Sequence, residues 1–212
     1  MERLIVEHLP VGPLQCNCVI VGDPITKRAL VVDPGDEVDR IAALLERHGL
    51  RVSALVATHA HIDHVGALAA LKALSGAPAI MHEADLPLYR ELAMQAEFLG
   101  VALPEATVID RFVEDGARIE FGKRHASVEH TPGHTPGSIS LVLAGAAPRV
   151  LSGDTLFSGS IGRTDLWGGS FEGIMRSIRT KLLALPDDTI VLPGHGPETT
   201  IGIERRSNPF LV

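Results

Sequence analysis

His59-Ala60-His61-Ile62-Asp63-His64 places four metal-binding side chains within six residues, a density that solvent exposure alone does not explain. The apolar run Val52-Ser53-Ala54-Leu55-Val56-Ala57 precedes it. The length of that run and its Val and Leu content predict a buried strand, and Val65 to Leu74 behind the cluster predicts a helix. The cluster therefore occupies a strand-to-helix loop. In extended backbone, side chains two apart project to the same face, so His59 and His61 are expected to reach one ion together. Asp63 and His64, at the helix start, are expected to face the other side of the loop. Two adjacent ions suit that division better than one.

A zinc-like ion takes about four ligands, so two ions require further donors. Three candidates share a setting: His134 in Pro132-Gly133-His134-Thr135-Pro136-Gly137, Asp154 in Ser152-Gly153-Asp154-Thr155, and His195 in Pro193-Gly194-His195-Gly196-Pro197. Each closely follows a strand-like run, at 126–130, 150–151 and 189–192. The glycine before each donor lets the backbone turn sharply and approach closely at a strand end. The seven candidates divide into His59, His61 and His134 around one ion and Asp63, His64 and His195 around the other, with Asp154 bridging. These ligand types suit zinc, and also iron and manganese. Asp33, in Val32-Asp33-Pro34-Gly35, is read either as a turn residue or as a group that orients a ligand histidine from behind. His8, His48, His82, His125 and His130 lack such a setting and are read as structural.

The ordered set His-x-His-x-Asp-His, Gly-His, Gly-Asp, Gly-His resembles the metallo-β-lactamase superfamily of hydrolases. Residues 153–165, Gly-Asp-Thr-Leu-Phe-Ser-Gly-Ser-Ile-Gly-Arg-Thr-Asp, and the ending Pro-Gly-His-Gly-Pro-Glu-Thr-Thr followed by Asn208-Pro209-Phe210, are similar to short bacterial relatives of glyoxalase II. The resemblance implies an α+β fold, an αββα four-layer sandwich with the metals in a groove along one edge. It also implies hydrolysis of a small acyl-thiol, S-lactoylglutathione in the family. Two ions sharing a water lower its pKa from about 15.7 toward 7, which leaves Asp63 chiefly a ligand. A thiolate leaves with a pKa near about 8.5 and scarcely needs a proton donor.

In full-length glyoxalase II the positions matching Arg163 and Asp165 carry a lysine and a tyrosine that hold glutathione. Here the two are read either as substrate contacts or as an ion pair that stiffens the loop. The family's helical carboxy-terminal extension has no counterpart, so one domain over 1–212 is expected. Two alternatives stay open. A persulfide dioxygenase of the same superfamily shares the cluster and the Gly-Arg-Thr-Asp loop but uses one iron, with its last histidine typically in a Pro-Ala-His-like setting. A lactonase keeps the same ligands, but its characteristic tyrosine has no match, the one tyrosine here being Tyr89 in a predicted helix. A typical zinc β-lactamase carries Cys where Asp154 stands.

Composition bounds the rest. A chain of 212 residues, 45% hydrophobic, is long enough for one sizeable core, and no linker divides it. Nineteen basic against twenty-six acidic residues, a formal charge of -7, argues against nucleic-acid and anionic-membrane partners. The start Met-Glu-Arg-Leu-Ile-Val-Glu-His lacks a basic region followed by an apolar stretch, and no span of about twenty apolar residues occurs, so a cytoplasmic protein is expected. Cys16 and Cys18 fall on one face of a predicted strand at 15–21, a spacing that strains a disulfide, and are read as buried thiols in a reducing compartment. Strands are further expected at 3–8 and 29–32. Helices are expected at 37–48, where Val38, Ile41, Leu44 and Leu45 form one stripe, at 84–99 and at 170–185, with short β runs over 107–153.

Overall fold

Strand alternation explains the layering. In β2 (Cys16–Gly22) and β3 (Arg28–Val32), Cys16, Cys18, Ile20, Ala29 and Val31 join one buried cluster, while Val19, Val21, Leu30 and Val32 join another. Side chains of a strand point alternately to its two faces, so a strand that buries both sets is covered on both sides. The computed structural model describes residues 3–212; Met1 and Glu2, part of the amino-terminal stretch read for a leader, lie outside them.

Two mixed six-stranded sheets result. The first is ordered β1 (Ile5–Val11), β2, β3, β4 (Arg51–Val56), β5 (Ala79–Met81), β6 (Arg111–Phe112). The second comprises β7 (Arg118–Phe121), β8 (Arg124–His130), β9 (Ile139–Leu143), β10 (Arg149–Gly153), β13 (Ile190–Pro193) and β14 (Thr199–Thr200), ordered β14-β13-β10-β9-β8-β7. A small ribbon of β11 (Leu156–Phe157) and β12 (Ser160–Ile161) follows β10. Between the sheets lie Val56, Ile80, Ile119, Phe121, Val128 and Leu141.

Helices cover the outer faces. On the first sheet these are α1 (Val38–His48), α2 (Ile62–Val65), α3 (Leu68–Ser75), α4 (Leu86–Arg90) and α5 (Leu92–Leu99), and on the second α6 (Phe171–Ser177) and α7 (Ile201–Ser207). The architecture is the four-layer αββα sandwich that the family resemblance implies. Among the described residues, no helix is long and apolar enough to cross a membrane.

Some elements differ from their expected spans. The helix expected at 84–99 is a 3-10 turn at Glu83–Asp85 followed by α4 and α5, which part at Glu91. Tertiary demand overrides the pattern here, because Asp85 and Gln95 turn inward to backbone groups of the cluster loop. The segment expected as helix over 170–185 is α-helical only to Ser177 and continues as a π turn through Leu182. Ile174, Ile178 and Leu182 remain fully buried across the change. The helix behind the cluster is split into α2 and α3 at Gly66 and Ala67, where the Ala67 N–H donates to the Pro34 carbonyl.

Asp23, fully buried after β2, ties the sheets together away from the cluster. Its carboxylate accepts from the Thr26 hydroxyl at 2.6 Å and from the Lys123 and Ile25 N–H groups. Burial pushes this carboxyl up, but those bonds outweigh it and hold the pKa at about 2 against an ordinary 3.8. A depressed folded-state pKa contributes stability above the unfolded value that is lost as pH falls through the folded one. Asp23→Ala is therefore expected to lower stability at neutral pH and to flatten the acid unfolding curve between about pH 4 and 2, as read by circular dichroism.

Candidate metal centre

Parallel neighbours β3, β4, β10 and β13 all end on one edge of the sandwich, where open sheets present their loops to ligands. Asp33 follows β3, the loop with His59 and His61 follows β4, Asp63 and His64 lie in α2, Asp154 follows β10, and His195 follows β13. The turn after β8 adds His134. The structure brings all seven candidate donors together. His134 Nε2 and His59 Nε2 lie 2.8 and 3.1 Å from His61 Nδ1. His195 Nε2 lies 3.3 Å from His64 Nε2 and 3.1 Å from Asp63 Oδ2. Asp154 stands between the groups, 3.5 Å from both His134 Nε2 and His64 Nε2 and 3.7 Å from His195 Nε2.

Donor chemistry fits divalent cations. Nitrogens held at about 2.0–2.1 Å by one tetrahedral ion stand roughly 3.3 Å apart, close to the spacing seen here. Asp154 Oδ1 is buried with no hydrogen-bond partner among the described residues, a costly state for a carboxylate oxygen unless a cation faces it. The sets His59/His61/His134, Asp63/His64/His195 and His59/His64/Asp154 each bring three donor atoms within 4.8 Å of one another.

Outer hydrogen bonds aim the rings. Asp33 accepts from Nδ1 of His64 at 3.0 Å and, at 2.7 Å, from the Thr58 hydroxyl, whose oxygen in turn accepts from Nδ1 of His59. His134 Nδ1 donates to the Arg163 carbonyl at 2.8 Å and His195 Nδ1 to the Leu14 carbonyl at 3.1 Å. Four rings thus present Nε2 inward, while His61 presents Nδ1. Asp33 backs one histidine from each group, His64 directly and His59 through Thr58. Outer partners of this kind typically set metal affinity by about 10- to 100-fold. Asp33→Asn is expected to weaken both binding steps by about that factor in a metal titration, with the fold retained by circular dichroism.

Charges follow the same division. Burial, reinforced by the neighbouring His64 and His134, holds His59 neutral, and burial with His134 lowers His61 to about 3. Burial also opposes charging His64, yet Cys16, Asp154, Asp63 and Asp33 around it outweigh that and lift its pKa well above the ordinary value. Burial would raise Asp63, but His64 and His195 hold it well below the usual carboxylate range. The pocket around His64 thus favours positive charge.

Close backbone approach makes the cluster compact. Cβ on Gly194 would meet Asp154 Oδ1 at 2.1 Å and His64 Cε1 at 2.8 Å. Gly153 has φ 49° and would drive a Cβ to 2.4 Å from Thr58 Oγ1.

Several supporting residues carry no sequence motif. Buried Asp85 accepts from Ala60 N at 2.9 Å, from the Thr135 hydroxyl at 2.8 Å and from Gly137 N, tying the first cluster loop to the His134 turn. Gln95 accepts from Ile62 N and donates to the Ala60 carbonyl. Asn17 donates to the carbonyls of Pro193 and Gly196 around His195. Cys16 and Cys18 are free and buried, and Cys16 Sγ lies 3.4 Å from His64 Nδ1. Arg163 and Asp165 form an exposed bidentate ion pair at 2.8 Å, and it is the Arg163 carbonyl that touches the cluster. The other five histidines stay outside the donor sets; His82 stacks on His130 and His48 pairs with Glu7.

The family model for the Metallo-beta-lactamase superfamily matches residues 11–195, a span that holds every donor. The chain belongs to the metallo-β-lactamase superfamily. It is 41% identical over 208 residues to the Haemophilus influenzae protein named hydroxyacylglutathione hydrolase GloC, covering 97% of both chains. Among solved members of the fold, TTHA1623 in a di-iron-bound form is 42% identical with a TM-score of 0.89, across 97% of this chain and 100% of that one. The BLEG-1 B3 metallo-beta-lactamase is 36% identical with a TM-score of 0.88, across 98% of this chain and 100% of that one. The superfamily is one of metallo-hydrolases whose fold binds divalent metals, and the clustered His and Asp residues here form groups able to hold them.

Proposed function

We infer that this superfamily member is a metal-dependent hydrolase of small thioesters, cleaving an acyl-thiol such as S-lactoylglutathione to acid and thiol. The observation that carries the reading is Asp154, which lies between two three-donor groups with its buried Oδ1 lacking a hydrogen-bond partner among the described residues. Similarity to the Haemophilus influenzae hydrolase supports the thioester class.

His59, His61 and His134 would hold one ion and Asp63, His64 and His195 the other, with Asp154 shared. Zinc suits this donor set, and iron and manganese accept the same ligands. Bound there, the pair would supply Lewis-acid polarisation of a carbonyl and bring a shared water's pKa from about 15.7 toward 7. Asp63, kept anionic by His64 and His195, serves as a ligand and not as a proton donor. A departing thiolate needs no protonated side chain beside it, whereas the amine of an amide does. Arg163 and Asp165 act mainly on each other, stiffening the loop whose carbonyl aims His134. The partner is a small molecule, not nucleic acid or a membrane, and the two free thiols suit a reducing cytoplasm.

Metal analysis of the purified chain, paired with a panel of glutathione and other thioesters, tests the reading. Two ions per chain and thiol release from at least one thioester are expected. No release from any member of the panel would sink it. Oxygen uptake with glutathione persulfide at one iron per chain would replace it with a dioxygenase, and turnover of lactones alone with a lactonase.

A further inference from the structure

Beside Asp63 runs a groove of about 480 Å³, within the range of small-molecule sites. The turn between β1 and β2 forms one wall through Leu14, and the segment after α5 forms the other through Val101 and Leu103, with Ile62 at the base. Two of these side chains are unusually open for their type, Leu14 at 42% and Leu103 at 59% exposure. Pro13 and Pro104 stiffen the two walls. The groove is continuous with the cluster: Asp63 belongs to its lining and to the donor set, and the Leu14 carbonyl accepts from His195.

Charge narrows the occupant. Asp36 and Asp63 are the charged residues in the lining, and no Lys or Arg joins them. A carboxylate-bearing arm would find no Lys or Arg there and the Asp36 carboxylate instead, Asp63 being turned to His64 and His195, whereas a hydrocarbon arm covers apolar wall that otherwise faces water. We propose that this groove takes an uncharged aliphatic arm of the substrate, attached on either side of the reacting sulfur, so that thioesters with such an arm are cleaved in preference to S-lactoylglutathione, neither arm of which is an uncharged hydrocarbon. This deepens the hydrolase reading and rests on it for the reacting group.

Two series of probes test the groove in the metal-loaded full chain. Acetyl, butyryl, hexanoyl and octanoyl thioesters of N-acetylcysteamine extend the acyl arm; acetyl thioesters of ethane-, butane- and hexanethiol extend the other. In at least one series kcat/KM is expected to rise roughly two- to fourfold per methylene until the groove is filled, the yield of burying each CH₂. A succinyl thioester is expected to lose that gain. Leu103→Asp and Ala102→Trp, both at exposed wall positions, are expected to flatten the rise. Leu74→Asp, an exposed leucine on α3 outside the lining, is expected to preserve it.

Calorimetric binding of non-hydrolysable alkyl thioethers of N-acetylcysteamine follows the same order and does not depend on turnover. If no thioester is cleaved, the hydrolase reading fails and the thioethers still judge the groove. If thioesters are cleaved but neither rates nor thioether affinities respond to chain length or to Leu103→Asp, the groove proposal is overturned and the hydrolase reading stands.

Discussion

Asp154→Ala is expected to abolish most thioester turnover, lowering kcat by about a hundred- to a thousandfold, and to leave the chain holding one ion or none. The expectation follows from position. Asp154 lies within 3.7 Å of histidines from both donor groups, and its Oδ1 is buried without a hydrogen-bond partner among the described residues. Alanine leaves each group three donors of its own but removes what they share, so the second ion loses the ligand that holds it beside the first. A ligand that binds only the folded state stabilises it by mass action, and the thermal shift on adding metal should shrink with the lost affinity. Retention of two ions with undiminished turnover would show that Asp154 is not shared between them.

The second large effect falls on stability. Asp85→Ala removes a buried carboxylate that accepts three bonds, leaving Ala60 N and Gly137 N without their acceptor and the Thr135 hydroxyl with Ser138 Oγ alone. Unsatisfied buried donors cost about 1–3 kcal/mol each, less where the loops relax, so a loss of roughly 3–5 kcal/mol is expected. In a chain of this size that is a fall in melting temperature of very roughly 6–20 °C by calorimetry. Because Asp85 joins the His59–His61 loop to the His134 turn, metal affinity should fall as well.

Titration of Asp85 adds a signature. Burial raises this carboxyl above its ordinary 3.8, against the bonds from Thr135, Gly137 and Ala60. A raised carboxylate pKa in the folded state contributes stability at low pH that is lost as pH climbs from the unfolded value through the folded one. Asp85→Asn should therefore lack this downward step above about pH 4, although the amide breaks one of the bonds. Identical pH–stability slopes in the two proteins would contradict the assignment.

Much of the site was legible because its signals are local. His59, His61, Asp63 and His64 crowd one loop, and His134, Asp154 and His195 each follow a glycine at a strand end. The strand-like runs at 15–21 and 29–32 and the stripe of Val38, Ile41, Leu44 and Leu45 likewise place β2, β3 and α1 close to where they are found. The residues that hold the loops in register were not legible. Asp85, Gln95 and Asn17 are ordinary polar residues in sequence, and the backbone groups that give them meaning lie 25, 33 and 176 positions away. The same long-range demand broke the helix expected at 84–99, since two of its positions serve the loop and not the helix. The sequence marks Cys16 as a buried thiol, but no spacing rule links it to His64, 48 residues on.

The donors meet across long stretches of chain: His61 and His134 are 73 residues apart, and His64 and His195 are 131 apart. Contacts of such separation form late, after the loops that connect them have closed. Neither three-donor group is complete until both sheets have docked, so the full donor set is offered to an ion only by the assembled fold. Metal should then leave the refolding rate nearly untouched and slow the escape from the native state instead. Cations held by these donors would act as a latch on the lifetime of the fold, closed by the fold itself and opened only when the two sheets part.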